Sequence, residues 1–420
     1  MLFAKTLAAL TLAFTAVPAV PAVPAQGGTT QPRWTGAWAA AVQQPSPGGL
    51  PWSSNWSEQG FERHSVRQVL RVTGPGAALR VTISNRYGTA PLTVNGATIA
   101  KAATGAAVRP GTLRAVTFSR RADAVVKAGQ ELVSDPIPLQ VQALDRLAVT
   151  LYFHGATGPA TFHDVSSATS YRASGDHRFD PRGTAFTDTT QSWYFLSGVD
   201  VLGASARGAV VTFGDSVTDG TGSTPDADNR YPDQLAERLV ASGARLTVLN
   251  SGISGNRVLY DHPLFGERAL ARFQRDVLDK PGVRTVIVME GINDITYRDP
   301  DVTADQIIAG HRELIRRAHA RGIRVVGGTI MPFKGNPWLY PDGTPEPYGL
   351  EQVRDQVNAW IRTAGEYDAV ADFERALVAP DDPDRLRPEF NVREGQEGDW
   401  LHPNDAGLNA MAETIDLNAL

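Results

Sequence analysis

The N-terminal part of the chain alternates apolar and polar residues over short segments. Between residues 78 and 84, leucine, valine and isoleucine occupy every second position, with arginine and threonine between them. A period of two is typical of a β-strand with one buried face. The same alternation occurs at residues 66–72 and 92–99, and further short strands are predicted at residues 115–118, 131–133, 147–153 and 194–201. An Asn95-Gly96 pair indicates a hairpin turn within one of these segments. Short strands separated by Gly, Pro and Asn indicate an all-β sandwich domain, similar to a jelly roll.

The pattern changes after a short linker of small residues at positions 204–208. Beyond it, apolar runs alternate with amphipathic segments of helical period. The predicted strands are residues 210–213, 246–249, 285–289, 323–330 and 369–371. The predicted helices are residues 231–242, 268–278, 304–321 and 349–366, and a last helix that begins at Pro403. Such alternation is typical of a parallel sheet covered by helices on both faces. The chain therefore divides into an all-β domain, residues 26–203, and an α/β domain, residues 204–420.

The first 25 residues have the features of an export signal. Lys5 provides a positive charge, and residues 7–17 form an apolar stretch that is too short to be a stable membrane span. Prolines follow, and small residues around Ala25 allow cleavage after that position. We therefore expect a signal peptide at residues 1–25, a secreted protein in the extracellular or periplasmic space, and no stable membrane association after cleavage. An uncleaved membrane anchor is the alternative.

Composition excludes several classes of function. The chain of 420 residues is 42% hydrophobic and 20% charged, which is typical of globular domains. Its net charge of −5 gives no electrostatic reason to expect nucleic acid as a partner. The absence of cysteine excludes disulfides, zinc–thiolate sites and cysteine nucleophiles. The histidines do not lie at metal-ligand spacing, so we expect no metal, and we interpret His311 and His319 as surface or boundary residues of one helix.

A serine follows the first strand of the α/β domain. That strand, residues 210–213, ends at Gly214, and Asp215 and Ser216 come next. Open parallel sheets bind their ligands at the carboxyl ends of the strands, so the Ser216 hydroxyl is a candidate nucleophile. The alternative is that Gly-Asp-Ser only forms a turn. Asp215 is interpreted as a cap of the turn that follows, and the alternative is that it orients the nucleophile loop.

Three other loops of this domain provide the groups that a serine nucleophile needs. Gly255 lies in a glycine-rich loop and can point its backbone N–H at a ligand, and Asn293 can aim its amide into the same cleft. Together with the Ser216 N–H, these donors would form an oxyanion hole. Asp399 lies three residues before His402. His402 can therefore accept the serine proton while Asp399 holds the imidazole.

The four blocks GDSVTDG, GISGN, GIND and DWLHPN resemble, in the same order, the conserved blocks of the SGNH/GDSL hydrolases, a family of esterases and lipases. The resemblance covers the C-terminal half of the chain. It places the family's key residues at Ser216, Gly255, Asn293, Asp399 and His402. It implies a flavodoxin-like three-layer α/β/α fold and a Ser-His-Asp acyl-enzyme mechanism. The stretch RVTISNRYGTAPL is similar to a β-domain that precedes the catalytic domain in some secreted bacterial members.

A long loop after the fourth predicted strand of the α/β domain carries aromatic residues among prolines and glycines. They are Trp338, Tyr340 and Tyr348. Flat aromatic faces of this kind stack on sugar rings, so these residues are candidates for substrate binding. The alternative is a packed surface flap.

These observations together predict a secreted serine esterase that hydrolyses short-chain acyl esters, acetyl most of all, on carbohydrate. Its partner would be a small-molecule or polysaccharide acyl ester, and it would need no metal and no organic cofactor. Two alternatives stay open. One is a lipase or lysophospholipase that acts on longer acyl chains. The other is a carbohydrate-binding protein with a degenerate hydrolase domain.

Overall fold

The computed structural model describes residues 33–48, 54–203, 207–297, 300–340, 349–392 and 398–420. All of them fall within a single compact unit that extends to Leu420. The predicted signal peptide at residues 1–25 and residues 204–206 of the predicted linker lie outside this part of the chain. The domain boundary between residues 203 and 204 therefore stays a prediction. No helix of the described ranges has the length and apolar character needed to cross a membrane.

The N-terminal region, residues 33–203, consists of short strands. They are β1 (Arg33–Ala39), β2 (His64–Arg71), β3 (Ala78–Ser84), β4 (Leu92–Val94), β5 (Gly96–Lys101), β6 (Arg114–Val116), β7 (Ala124–Val126), β8 (Glu131–Val133), β9 (Arg146–Phe153), β10 (Phe162–His163), β11 (Ser170–Ser174), β12 (Asp188–Thr190), β13 (Trp193–Tyr194) and β14 (Leu196–Gly203). One antiparallel sheet has the order β1-β14-β3-β8, and a second has the order β12-β11-β2-β9-β5-β6. Two-stranded pairs join β4 to β7 and β10 to β13.

The two larger sheets share one hydrophobic core. The alternating residues Leu79, Val81 and Ile83 of β3 are at most 1% exposed, as a period of two requires. They belong to the same buried cluster as Val66 and Leu151 of the other sheet. The prediction of a sheet-rich N-terminal region is therefore confirmed, and its jelly-roll topology stays a prediction.

The Asn95-Gly96 pair does not form the predicted hairpin. β4 ends before this pair and binds β7, whereas β5 begins at Gly96 and binds β6 and β9. The Asn95 side chain instead accepts a hydrogen bond from the backbone N–H of His154 at 2.7 Å. The strands that pair with β4 and β5 come from elsewhere in the chain. The dipeptide between them therefore leads the chain from one sheet to another instead of forming a hairpin.

The C-terminal region contains a five-stranded parallel sheet. Its strands are β15 (Gly208–Gly214), β16 (Leu246–Gly252), β17 (Val283–Met289), β18 (Arg324–Gly328) and β19 (Ala369–Ala371). Their spatial order is β16-β15-β17-β18-β19. The first strand thus lies between the second and the third, which is the flavodoxin-like order with its switch point at the first strand. The prediction of an α/β domain is confirmed.

The described helices of this region are α1 (Ser216–Asp219), α2 (Tyr231–Ala241), α3 (Ala269–Phe273), α4 (Ile292–Tyr297), α5 (Ala304–His319), α6 (Leu350–Thr363), α7 (Phe373–Leu377) and α8 (Asp405–Thr414). A short antiparallel pair, β20 (Val378–Ala379) and β21 (Asp382–Leu386), and 3-10 turns at Pro388–Phe390 and Leu417–Ala419 also occur. α2 packs against α8, and α5 packs against α6. The buried side chains of α5 include Ile307, Leu314 and Ala318. Their helical spacing places them on one face of the helix, and this face packs against the core.

Two helices differ from their predictions. The helix predicted at residues 268–278 divides into α3 and a π-helical turn, Gln274–Leu278. The last helix begins at Asp405 rather than at Pro403. The Asn404 side chain caps it by accepting hydrogen bonds from two backbone N–H groups of the first turn.

His311 is not a surface or boundary residue, contrary to its interpretation from sequence. Its side chain is fully buried on the apolar face of α5. Its ring nitrogens lie 2.5 Å from the Tyr367 hydroxyl and 3.2 Å from the backbone oxygen of Glu290. Burial lowers the pKa of His311 to about 4, so the imidazole is neutral in the core near pH 7.

The N-terminal region is joined to the edge of the parallel sheet. β1 packs beside β16, the edge strand. Thr247 Oγ1 donates to the backbone oxygen of Gly36 at 2.6 Å, and Thr73 Oγ1 exchanges hydrogen bonds with the backbone of Val248. An edge strand with unpaired backbone groups is thereby covered. The strands that carry the candidate site are thus in direct contact with the N-terminal region.

Candidate active site

The candidate nucleophile lies at the turn that follows β15. Ser216 begins the short helix α1, and the Asp215 side chain caps this helix by accepting a hydrogen bond from Val217 N–H at 3.1 Å. A Cβ atom on Gly214 would lie 2.4 Å from the backbone oxygen of Met289, so the close approach of the neighbouring strand leaves no space for a side chain here. Asp215 therefore has the capping role that the sequence indicates.

The loop before α8 brings a histidine and an aspartate to Ser216. His402 Nε2 lies 2.8 Å from Ser216 Oγ, and His402 Nδ1 lies 2.6 Å from Asp399 Oδ2. The other carboxylate oxygen of Asp399 accepts hydrogen bonds from the backbone N–H groups of Leu401 and His402. The loop thus folds around one carboxylate, which fixes the orientation of the imidazole. Ser216 and the Asp399–His402 pair, selected from distant parts of the sequence, thus meet in one hydrogen-bonded row.

The charge of Asp399 suits this arrangement. Burial by itself would raise the pKa of Asp399, but the hydrogen bonds that it accepts from the His402 ring and from the backbone N–H groups of His402 and Leu401 outweigh burial, so the pKa lies below its ordinary value. An ionised carboxylate at Nδ1 favours the tautomer that carries its proton there, which leaves Nε2 to accept the proton of Ser216. Asp399, His402 and Ser216 can therefore act as orienting group, base and nucleophile.

The loops after β16 and β17 bring the candidate oxyanion donors to the same place. Gly255 and Asn293 line the same cavity as Ser216 and His402. No described residue accepts a hydrogen bond from the backbone N–H of Ser216 or of Gly255. Asn293 Nδ2 donates one hydrogen to the backbone oxygen of Asn256 at 2.9 Å, and its second hydrogen can still be donated. The structure thus gathers all three predicted donors around one cavity.

Close packing fixes the loop that carries Gly255. Its φ is +76°, and a Cβ atom would lie 2.3 Å from Cγ of the Phe265 ring. Glycine is therefore required for both conformation and space. The next residue, Asn256, holds the loop by donating hydrogen bonds to the backbone oxygens of Phe265 and Glu267, each at 2.9 Å.

A buried arginine that the sequence interpretation missed connects the ends of three strands. The Arg272 side chain is 0% exposed. Its guanidinium donates to the backbone oxygens of Gly214 and Ser251, at 2.9 and 2.7 Å, near the ends of β15 and β16. It also donates to Asn256 Oδ1 at 2.8 Å and to Glu290 Oε1 at 3.1 Å. In the sequence this residue is one of several arginines on an amphipathic segment, so nothing local distinguishes it.

The N-terminal region also reaches the site, through a pair that the sequence interpretation overlooked. His163 Nε2 of β10 lies 2.9 Å from Asp219 Oδ1, and both side chains are buried. Asp219 Oδ2 accepts hydrogen bonds from the backbone N–H and the hydroxyl of Ser254, both at 2.8 Å. Ser254 directly precedes Gly255. Spacing along the chain could not reveal this pair, because its two members belong to different regions.

The His163 ring carries a positive charge in this environment. Its Nδ1 lies 2.8 Å from the backbone oxygen of Ala41, so both ring nitrogens face acceptors, and only the imidazolium donates to both. Burial by itself lowers the pKa of His163, but the carboxylate of Asp219 raises it more, and the pKa lies above its ordinary value. A buried ion pair therefore braces the loop before Gly255.

Two buried carboxylates near the catalytic row of Ser216, His402 and Asp399 accept hydrogen bonds from the backbone. Burial raises the pKa of Asp215 to about 7 and that of Asp294 to about 6. Asp294 accepts hydrogen bonds from the backbone N–H groups of Val258 and Leu259 at 2.7 and 3.0 Å, which holds the loop after β16 against α4. Within the described ranges, no cluster of three or more His, Asp or Glu side chains is arranged to hold a metal ion.

A cavity of about 440 Å3 opens at Ser216 and His402. Its volume lies within the range of small-molecule sites, about 300–1,000 Å3. The apolar part of its wall consists of Phe265, Tyr297, Trp338, Leu339 and Leu401. The Tyr297 and Phe265 rings stack with their centroids 5.5 Å apart. An acyl or alcohol group bound here would meet flat apolar surfaces.

The three aromatic residues predicted to bind substrate have different outcomes. Trp338 is 61% exposed and lines the catalytic cavity. Tyr340 does not line it: its ring is buried in the hydrophobic core, and its hydroxyl donates to Glu351, so this side chain does not face the substrate. Tyr348 lies outside the described residues.

Comparison with known proteins covers the C-terminal half of the chain. The sequence model of the GDSL-like Lipase/Acylhydrolase family matches residues 212–410. No curated protein matches the chain. A GDSL-like lipase from Bacteroides thetaiotaomicron VPI-5482 is 19% identical, with a TM-score of 0.37 over 51% of this chain and 88% of its own. A variant of an acetyl xylan esterase from Geobacillus stearothermophilus is 23% identical, with a TM-score of 0.37 over 49% of this chain and 92% of its own.

Proposed function

Because the chain belongs, over residues 212–410, to the GDSL-like lipase/acylhydrolase family, we propose that it hydrolyses short acyl esters, acetyl most of all, carried on carbohydrate. The chain is a carboxylic ester hydrolase. We propose in addition that the acyl group is short, that the alcohol is a carbohydrate and that the protein is exported. The observation that carries the proposal is the row from Ser216 Oγ through His402 to Asp399, with contacts of 2.8 and 2.6 Å. A binding protein with a degenerate hydrolase domain would not need this row.

In the first half of the proposed reaction, Ser216 Oγ attacks the ester carbonyl carbon while His402 Nε2 accepts its proton. Asp399 stabilises the imidazolium that forms. The carbonyl oxygen takes up the electron pair of the double bond and accepts hydrogen bonds from the N–H groups of Ser216 and Gly255 and from the Asn293 amide. When the intermediate collapses, the bond to the alcohol oxygen breaks, and His402 gives its proton to that oxygen.

The second half repeats these roles with water as the nucleophile. His402 removes a proton from a water molecule that attacks the carbonyl carbon of the acyl-Ser216 ester. The same donors stabilise the second oxyanion. Collapse breaks the bond to Ser216 Oγ, which regains its proton from His402, and the carboxylic acid leaves. Every proton is thus accounted for by the residues of this chain and one water molecule.

Two observations support a carbohydrate ester outside the cytoplasm. The indole of Trp338 is exposed at the catalytic cavity, where it can stack on a sugar ring. Residues 1–25 have the composition of an export signal, and polysaccharides are available outside the cell. N-terminal sequencing of protein secreted by a bacterial host checks export: we expect a start at Gln26, and retention of Lys5 in the secreted or membrane fraction would contradict cleavage.

The apolar wall of the cavity favours a second candidate function. Stacked Phe265 and Tyr297 and the neighbouring Leu401 offer more surface than an acetyl group covers. A lipase or lysophospholipase that acts on longer acyl chains would bury its substrate there. The two candidates therefore differ in the acyl length that the enzyme prefers.

A series of 4-nitrophenyl esters with acyl chains of two to twelve carbons tests the proposal. We expect the highest kcat/KM at two to four carbons, and release of acetate from an acetylated polysaccharide. An optimum at eight or more carbons without acetate release would favour the lipase candidate. Ser216→Ala should abolish hydrolysis of every ester and leave the circular dichroism spectrum unchanged, because a turn serine contributes little packing. Retention of more than a few per cent of activity would contradict the role of Ser216.

A further inference from the structure

A second cavity, of about 470 Å3, lies between the N-terminal region and the loop after α1. Apart from Val165, Gly222 and Pro225, every residue that lines it carries a hydroxyl, amide or carboxyl group. No lysine or arginine lines it among the described residues. The cavity therefore offers many neutral hydrogen-bonding groups and no cation to bind a phosphate.

Thr221 connects this polar cavity to the catalytic cavity, because it lines both. Its backbone N–H donates to the backbone oxygen of Ser216 at 2.9 Å, and its hydroxyl lies 3.0 Å from that of Ser254. The position of Thr221 is thus fixed from both sides. A ligand in the polar cavity would therefore be separated from the catalytic cavity by a single residue, Thr221.

The polar cavity lies on the histidine side of the catalytic row. A Cβ atom on Gly222, which lines it, would lie 2.5 Å from the backbone oxygen of Pro403 and 3.5 Å from His402 Cβ. His402 is the group that gives a proton to the departing alcohol oxygen in the proposed reaction. The alcohol oxygen therefore departs beside His402, the residue whose Cβ lies close to Gly222 of the polar cavity.

We propose that the polar cavity is a subsite for the alcohol part of the ester, and that this part is a neutral polyhydroxylated group such as a sugar residue. The inference rests on the proposed function and adds that the N-terminal region binds the substrate. A sugar presents donors and acceptors on all sides, which hydroxyl and amide side chains can satisfy. The anionic phosphate of a lysophospholipid would find no cationic partner there.

Two exposed side chains of the N-terminal region are the clearest contacts for such a ligand. Thr189 lies in β12, and Gln191 follows that strand; both line the cavity and both are exposed. The Gln191 side chain makes no hydrogen bond to any described residue. Removing these two groups shortens only exposed side chains, so the fold should persist.

The test compares two acetyl esters that differ in the alcohol. The double variant Thr189→Ala/Gln191→Ala should lower kcat/KM for a partially acetylated xylo-oligosaccharide by about tenfold, since each lost hydrogen bond costs about threefold to tenfold. Hydrolysis of 4-nitrophenyl acetate should stay within twofold of wild type, because its flat apolar alcohol cannot use these groups. Thr187→Ala and Gln130→Ala, exposed residues that do not line the cavity, serve as matched controls.

The outcomes separate this inference from the proposed function. An equal loss on both esters, or no loss on the oligosaccharide, would overturn the subsite while ester hydrolysis stands. Hydrolysis of 4-nitrophenyl acetate without any release of acetate from the oligosaccharide would also overturn it. If wild-type protein hydrolysed neither ester, the proposed function itself would fail, and the subsite with it. A tenfold loss confined to the oligosaccharide would establish the subsite, provided that both control variants behave as wild type.

Discussion

Replacing His163 by alanine should slow ester hydrolysis without altering any residue of the catalytic row. His163 is the cationic partner of Asp219, at 2.9 Å, and Asp219 in turn holds Ser254 through two hydrogen bonds of 2.8 Å. Ser254 precedes Gly255, whose N–H we assign to the oxyanion hole. His163 is therefore a positioning residue that belongs to the N-terminal region and acts through a loop of the hydrolase.

The expected magnitudes follow from burial of the pair. Removing one partner of a buried ion pair costs about 3–5 kcal/mol, because the other charge stays buried and uncompensated. Stabilities of about 5–15 kcal/mol are usual, so a protein in the upper part of that range stays folded. Complete loss of an oxyanion donor costs about 10²–10³ in rate. Gly255 would be displaced rather than removed, so we expect kcat to fall about tenfold and KM to change little.

Steady-state kinetics on 4-nitrophenyl acetate and urea unfolding measure both effects. His163→Gln is the matched control, since glutamine can donate to Asp219 without a charge and should recover most of kcat. The pKa of His163 is raised in the folded state, so its stabilising effect is complete below its ordinary value of 6.5 and is lost as the pH rises through the folded value. The stability difference between wild type and His163→Gln should therefore shrink toward alkaline pH. A folded His163→Ala protein with wild-type kcat, or a loss confined to KM, would refute the positioning role.

Two further variants test the oxyanion hole and the core. Asn293→Ala should lower kcat by about 10²–10³ and leave KM nearly unchanged, because the amide acts on charge that develops in the transition state; a change in KM alone would contradict this. His311→Gln should reduce the loss of stability in acid. Burial lowers the pKa of His311 from 6.5 to about 4, so the unfolded state binds more protons between these pH values, and wild type loses about 3 kcal/mol as the pH falls. Urea unfolding at pH 7 and pH 4 measures this, and equal losses in both proteins would refute it.

The sequence predicted those parts of the molecule that depend on local pattern. The period of two predicted the bounds of β3, and the bounds of the short strands β8 and β19 were also predicted correctly. Residues such as Ser216 could be selected because the ends of parallel strands meet at one edge of a sheet, whatever the rest of the chain does. The Asp399–His402 contact was within reach of prediction for a similar reason, since three residues of one loop span it.

The features that the sequence did not reveal depend on distant partners. The Asn95-Gly96 pair has the composition of a hairpin, yet strands from elsewhere bind both of its flanks. Tyr340 is an aromatic residue in a loop rich in proline and glycine, which is typical of a sugar-binding segment, yet its ring is buried in the hydrophobic core. His163 acquires its partner Asp219 only when two regions meet. In each case, tertiary contacts decide between local structures of similar free energy.

Buried polar contacts hold the loops of the site in place from opposite sides. Arg272 gathers the ends of β15 and β16 together with Glu290 after β17, and the His163–Asp219 pair braces the loop before Gly255 from the N-terminal region. An oxyanion hole is effective only when its donors are already in place before charge develops. Loops held by surface contacts would not keep such positions, because exposed ion pairs contribute about 1 kcal/mol or less. The N-terminal region therefore contributes to catalysis because it holds the loop before Gly255 in position. In the proposed polar subsite it has a second role, which is to bind the departing alcohol.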